Sequence, residues 1–89
     1  MTRRYLVIYE SGPTNMSGFA PDVPGCASTG HSLDQMRTNL REALEFHLEG
    51  LALDGQPLPQ ATTRIAEVPE SGFAEWLTVT LPVAEAISA

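Results

Sequence analysis

The residue types that most often carry chemistry are few in this sequence. There is one cysteine, Cys26, and there are two histidines, His31 and His47, while lysine is absent. A nucleophilic thiol needs a base and a positive environment, and no third group is evident that would orient His31 as such a base. The three residues also lack the paired spacing of a zinc site. We therefore expect Cys26 to be a small buried hydrophobic residue, and we expect no metal and no cofactor.

Acidic residues offer a second kind of chemistry. Glu10, Asp22 and Glu67 lie at strand ends and in loops, and a nuclease would need several such carboxylates to converge on Mg²⁺. The sequence does not place them together. It also lacks a glycine-rich phosphate loop, a nucleophile elbow and a lysine for a Schiff base. The prediction is a protein that is not an enzyme, and a metal-dependent nuclease remains the alternative.

Net charge indicates the kind of partner. Eleven carboxylates against five arginines give a formal net charge of −6. Because nucleic-acid affinity comes largely from cations, we expect no direct DNA binding and a basic protein as the partner. No apolar stretch approaches the roughly 18 residues of a membrane span. A lone cysteine fits a reducing compartment, so a cytoplasmic location and no membrane partner are expected.

Turn formers and apolar periodicity predict the order β-β-β-α-β in a single domain over 1–89. Strands are predicted over 3–10, 17–23, 25–30 and 75–83, with the second cut short by Pro21. A helix follows, with Ser32 as N-cap and Gln35 closing a capping box, and it ends near Leu53 before Gly55. The predicted fold is α+β, with two layers and an antiparallel sheet that carries the helix on one face. The other face is the natural place for a homodimer or higher oligomer to form.

The helix has two distinct sides when it is plotted at 100° per residue. An apolar stripe should lie on the sheet, with Leu48 at its edge. It comprises Leu33, Met36, Leu40, Ala43, Leu44, His47 and Leu51. The opposite side is acidic and comprises Asp34, Thr38, Glu42, Glu45 and Glu49. Phe46 and Leu53 border the acidic side and are candidates for a partner contact.

The segment FAPDVPGCASTG, from Phe19 to Gly30, is neither a plain strand nor a plain loop. Its prolines stop the second strand, its glycine permits a tight re-entry, and Asp22 can hydrogen-bond to its own turn. We refer to this turn as the signature turn; its residues are Pro21, Asp22, Pro24, Gly25 and Cys26. With YLVIYESG before it, NLREALEFHLEGL in the helix and the proline pair of GQPLPQ, it resembles the HicB family of antitoxins.

The resemblance implies a truncated RNase H-like core without the metal-binding acids of a nuclease. It also implies the antitoxin of a type II toxin–antitoxin pair. Its partner would be HicA, a small basic toxin that cleaves mRNA with a histidine, and the antitoxin would cover that histidine. The residues that we expect to contact the toxin are Asp22, Glu42, Glu45, Phe46 and Glu49.

Many HicB proteins carry a C-terminal DNA-binding domain, and no such separate domain is expected here. Only residues 61–89 follow the matching segment, and they are not basic. The alternative within the same family is an orphan homo-oligomer that binds some other partner. A toxin gene next to this one would favour the antitoxin.

Overall fold

The computed structural model describes residues 2–64 and 67–81. Four strands and one helix occur in the order β-β-β-α-β, which confirms the predicted order and the α+β class. Their bounds are β1 Thr2–Ser11, β2 Met16–Phe19, β3 Ala27–Gly30, α1 Leu33–Leu53 and β4 Gly72–Thr80.

The four strands form one antiparallel sheet in the order β3-β2-β1-β4. The long strand β1 lies at the centre. It pairs with β2 at its C-terminal end, where Ile8 is opposite Phe19, and with β4 along nearly its whole length, where Leu6 is opposite Trp76. Within the described residues, β3 and β4 are therefore the two edge strands of the sheet.

Alternation along the strands separates the two faces of the sheet. Tyr5, Val7 and Tyr9 of β1 and Leu77 and Val79 of β4 point towards α1 and are buried. On the helix, the core is a row of residues four positions apart: Met36, Leu40, Leu44 and Leu48. All four helix residues are fully buried, so this layer is the hydrophobic core of the domain.

The helix begins as the sequence predicts. The Ser32 hydroxyl accepts a hydrogen bond from the Gln35 amide at 3.1 Å. The Gln35 side chain reaches one residue further back than in an ordinary capping box and accepts from the amide of His31 at 2.6 Å. The helix ends at Leu53 with Asp54 as its C-cap, and the next residue, Gly55, has a φ of +72°, the left-handed conformation that favours glycine there.

Several predicted boundaries and positions are corrected. The second and third strands are shorter than predicted, because the signature turn takes up residues 20–26. The last strand begins at Gly72, three residues earlier than predicted, because β1 continues to pair with it there. Leu48 is fully buried within the row that faces the sheet and His47 is only half-buried, so the helix is rotated slightly from the predicted orientation. The predicted final turn over 84–89 lies outside the described residues.

Candidate functional site

The signature turn is two successive β-turns, each with proline in its second position. The Val23 amide donates to the Ala20 carbonyl at 3.0 Å, and the Cys26 amide donates to the Val23 carbonyl at 3.1 Å. In the second turn Pro24 is followed by Gly25 with a φ of +83°, the residue pair that is typical of a type II turn. Val23 points inward and is fully buried in the core.

Asp22 is held at the tip of the first turn and reaches a distant segment. Its carboxylate accepts three hydrogen bonds, from the Thr63 amide at 2.8 Å, the Thr63 hydroxyl at 2.6 Å and the Thr62 hydroxyl at 3.1 Å. The prediction that Asp22 bonds to its own turn is therefore corrected. Desolvation acts to raise the pKa of Asp22, but the hydrogen bonds from Thr63 and Thr62 together outweigh it and hold this pKa below its ordinary value.

The connector that follows the helix is fastened to the sheet at a second point. The carbonyl of Pro59 accepts a hydrogen bond from the Tyr5 hydroxyl at 2.6 Å and from the Arg3 guanidinium at 3.2 Å. Leu58 and Ala61, on either side, pack against the core. The proline pair of the sequence thus belongs to a segment that closes the core beyond the helix, and Asp22 holds the end of that segment.

The solvent side of α1 carries an apolar and acidic strip. Phe46 is 82% exposed and Leu53 is 72% exposed. Glu42 and Glu49 are also exposed, and the spacing of four, three and four residues places all four side chains on one side of the helix. We call Glu42, Phe46, Glu49 and Leu53 the outer strip. Three of the five residues predicted to contact a toxin lie on it.

The other two predicted contact residues are engaged within the chain. Glu45 is half-buried, and its carboxylate accepts a hydrogen bond from the Thr80 amide of β4 at 2.6 Å. Arg41, one turn earlier, donates to the carbonyl of Thr78 at 3.1 Å. These two helix side chains occupy backbone groups on the free edge of β4, where a strand would otherwise be open to further pairing. Asp22 is the other predicted contact residue that is engaged within the chain, through its hydrogen bonds to Thr62 and Thr63.

One cluster of charged and polar groups was not predicted from the sequence. The Glu75 carboxylate accepts two hydrogen bonds from the Arg37 guanidinium, at 2.8 and 2.9 Å. It also accepts one from the Tyr9 hydroxyl at 2.8 Å. The hydrogen bond from Arg37 is the main reason that the pKa of Glu75 is lowered, against desolvation, and Tyr9 adds to it. The sequence held one signal of this cluster. Glu75 has the same parity as Leu77 and Val79, so an acid was directed towards the helix and needed a partner.

The remaining candidates for chemistry do not come together. Cys26 is buried, as predicted, in the position just before β3, and desolvation raises the pKa of its thiol. Glu10 is exposed at the end of β1. Within residues 2–64 and 67–81, no three His, Cys, Asp or Glu side chains are placed to share a metal ion. In the same part of the chain, no helix has the length and apolar character needed to cross a membrane.

A comparison with known families finds one that covers nearly all of the chain. The family is described as a HicB-like antitoxin of bacterial toxin–antitoxin systems, and it matches residues 5–88. A curated relative, an uncharacterized 14.9 kDa protein of Haemophilus phage HP1, is 46% identical over 41 residues, which are 46% of this chain and 31% of that protein. Three curated relatives are matched over between 31% and 59% of their own lengths.

Solved structures confirm the fold. The N-terminal domain of the Burkholderia pseudomallei antitoxin HicB is 26% identical, with a TM-score of 0.66, and the match covers 91% of this chain and 100% of that one. A chain from a HicA3 and HicB3 toxin–antitoxin complex gives the same TM-score of 0.66 and the same coverage at 23% identity. At that identity the second match supports the fold alone.

Proposed function

Because the chain belongs to the family of HicB-like antitoxins of bacterial toxin–antitoxin systems, we propose that it binds and neutralises a small, basic, HicA-type toxin. In this proposal the chain covers the toxin surface that would otherwise bind and cleave mRNA. The observation that carries the proposal is the outer strip of α1, where two acidic side chains flank a phenylalanine that is 82% exposed.

The outer strip suits such a partner in two ways. A toxin that binds RNA must present cations to the phosphates, and Glu42 and Glu49 offer carboxylates to the same cations. Phe46 supplies an aromatic anchor of the kind that dominates protein interfaces when it is buried in a pocket. The two carboxylates and the aromatic ring together favour a basic protein over an RNA as the partner, because the carboxylates would repel RNA phosphates.

The five residues predicted for toxin contact then divide by role. We assign direct contact to Glu42, Phe46 and Glu49, whose side chains face solvent. We assign an indirect role to Glu45 and Asp22, since each carboxylate is occupied by hydrogen bonds inside the domain. Glu45 fixes the helix against β4, and Asp22 fixes the connector.

Co-expression tests the function. The small open reading frame adjacent to this gene is expressed alone and together with the tagged chain, while growth and co-purification are recorded. The proposal expects arrested growth with the neighbour alone, relief by this chain, and a stable complex. A toxic neighbour that this chain neither binds nor relieves would contradict the proposal.

A charge-matched pair of variants tests the site. Glu42→Lys with Glu49→Lys changes the net charge by the same amount as Glu67→Lys with Glu70→Lys, and the latter two exposed acids lie outside the helix. The first pair should lose toxin binding and the second should retain most of it. Equal losses would mean that net charge alone attracts the toxin and would reject the outer strip. Phe46→Ala should weaken binding without any change in charge.

A further inference from the structure

One glycine of α1 serves no evident purpose within the domain. Gly50 lies inside the helix at an exposed position, and its φ is not positive. A Cβ added there would have no heavy atom within 4 Å other than those of its chain neighbours and its own helix backbone, among the residues that the structure describes. Yet glycine is the least favourable residue in a helix interior after proline, because it loses the most backbone freedom on folding.

The other six glycines are each required by the fold. Gly25 and Gly55 have positive φ values. At the remaining four, an added Cβ would lie 3.1 Å or less from another atom. These four are Gly12, Gly18, Gly30 and Gly72. Since neither reason applies to Gly50 within the described residues, its missing side chain indicates a requirement set by something outside the chain.

The missing side chain leaves a notch on the outer surface of the helix. Phe46 is four residues before Gly50 and Leu53 is three residues after it, so both are its direct neighbours on that surface. Their side chains are 82% and 72% exposed. We call Phe46, Gly50 and Leu53 the glycine notch. Its two walls are about 10 Å apart along the axis at 1.5 Å per residue, which leaves room for one side chain between them.

The two flanks of this surface differ in chemistry. At 100° per residue, Gly50 lies about 40° to one side of Phe46, whereas Glu42 and Glu49 lie about 40° and 60° to the other side. An apolar notch beside a pair of carboxylates fits a partner surface that carries an apolar side chain beside cations. A basic protein can present both, whereas an RNA would bring its phosphates against the two carboxylates.

We propose that Gly50 determines which toxin this chain accepts, because an apolar side chain of the toxin enters the glycine notch and packs against the helix backbone. This inference rests on the proposed toxin binding and adds a contact that depends on the absence of a side chain. Cations of the same toxin surface meet Glu42 and Glu49. A side chain at position 50 would hold the toxin away from the helix and leave the charge attraction intact, so the discrimination is steric.

Gly50→Ala and Gly50→Leu separate this role from folding. Because the space around Gly50 is open and both new residues favour the helix, both variants should be at least as stable as the unaltered chain in urea denaturation. Both also fill the notch. Affinity for the candidate toxin from the adjacent open reading frame, measured by isothermal titration calorimetry, should therefore fall about tenfold for Gly50→Ala and about a hundredfold for Gly50→Leu.

A control and a double variant locate the contact. Thr38→Leu introduces a leucine at another exposed position of α1, away from the notch, and should bind the toxin as the unaltered chain does. Phe46→Ala should weaken binding less in the Gly50→Leu background than in the unaltered chain, since Gly50→Leu has already displaced the toxin side chain that contacts both positions. Additive losses would mean that Phe46 and Gly50 touch different parts of the toxin and would contradict the notch.

The outcomes distinguish this inference from the proposed function. If the unaltered chain does not bind the candidate toxin, the proposed function fails and the notch fails with it. If the unaltered chain binds and both Gly50 variants bind equally well, toxin binding stands and the notch alone is overturned. Variants that unfold more easily would also overturn it, because the glycine would then serve the fold. A change in self-association without a change in toxin affinity, measured by sedimentation equilibrium, would assign the notch to a second copy and overturn it as well.

Discussion

Replacing Asp22 with alanine should destabilise the domain and loosen the connector after the helix. The carboxylate accepts three hydrogen bonds from Thr62 and Thr63, between 2.6 and 3.1 Å. A hydrogen bond to a charged group contributes about 1.5–3 kcal/mol net when it is shielded from water. Because Asp22 is half-exposed and water can replace much of what is lost, we expect the free energy of unfolding to fall by only about 2 kcal/mol, well below the sum for three such bonds.

Urea denaturation at pH 7 measures that change. Thr63→Val is the matched variant, because it removes one hydroxyl but keeps the amide, and it should cost about 1 kcal/mol. The double variant should cost less than the sum of the two, since both changes remove the same hydroxyl–carboxylate contact. A loss below about 0.5 kcal/mol for Asp22→Ala would match an ordinary surface substitution and would refute the proposed role of Asp22 in holding the connector.

Further predictions concern close packing, the helix and acid stability. A Cβ added at Gly30 would lie 2.7 Å from the backbone nitrogen of Met36, so Gly30→Ala should cost about 1–3 kcal/mol in urea denaturation. Gly50 lies within α1 with open space around it, so Gly50→Ala should instead add about 0.5–1 kcal/mol; a loss there would contradict the described helix. The pKa of Glu75 is lower in the folded chain than in the unfolded chain. The ionised Glu75 carboxylate therefore stabilises the fold at pH values above its unfolded pKa, and this contribution is lost as the pH falls through its folded pKa. Glu75→Gln should therefore be less stable than the unaltered chain at pH 7 and approach it in stability at acid pH, and a constant difference across that range would exclude this coupling.

Features encoded in adjacent residues could be predicted from the sequence. The Ser32 cap, the end of the helix before Gly55 and the turn at Pro24 and Gly25 depend on contacts within four residues or on backbone preference. The apolar side chains that alternate along β4, Leu77 and Val79, likewise mark its buried face. The resemblance to HicB rested on the same local stretches, and the family match over residues 5–88 confirms it.

Contacts between distant residues could not be predicted. Asp22 and Thr63 are 41 positions apart, and Arg37 and Glu75 are 38 positions apart. A helical projection cannot show which side chain will reach a strand edge, so Glu45 was placed with the solvent-facing acids although it bonds to β4. Two of the five predicted contact residues were therefore chosen by charge alone, and tertiary structure gives them another partner.

The most direct measurement is the inhibition of RNA cleavage by the toxin partner in a purified system. The candidate toxin, taken from the small open reading frame adjacent to this gene, is incubated with an RNA substrate while increasing amounts of this chain are added. We predict that cleavage falls to background at an equimolar ratio. The chain with Glu42→Lys, Phe46→Ala and Glu49→Lys should require a large excess. Cleavage that continues unchanged in a large excess of the unaltered chain would contradict neutralisation by this protein.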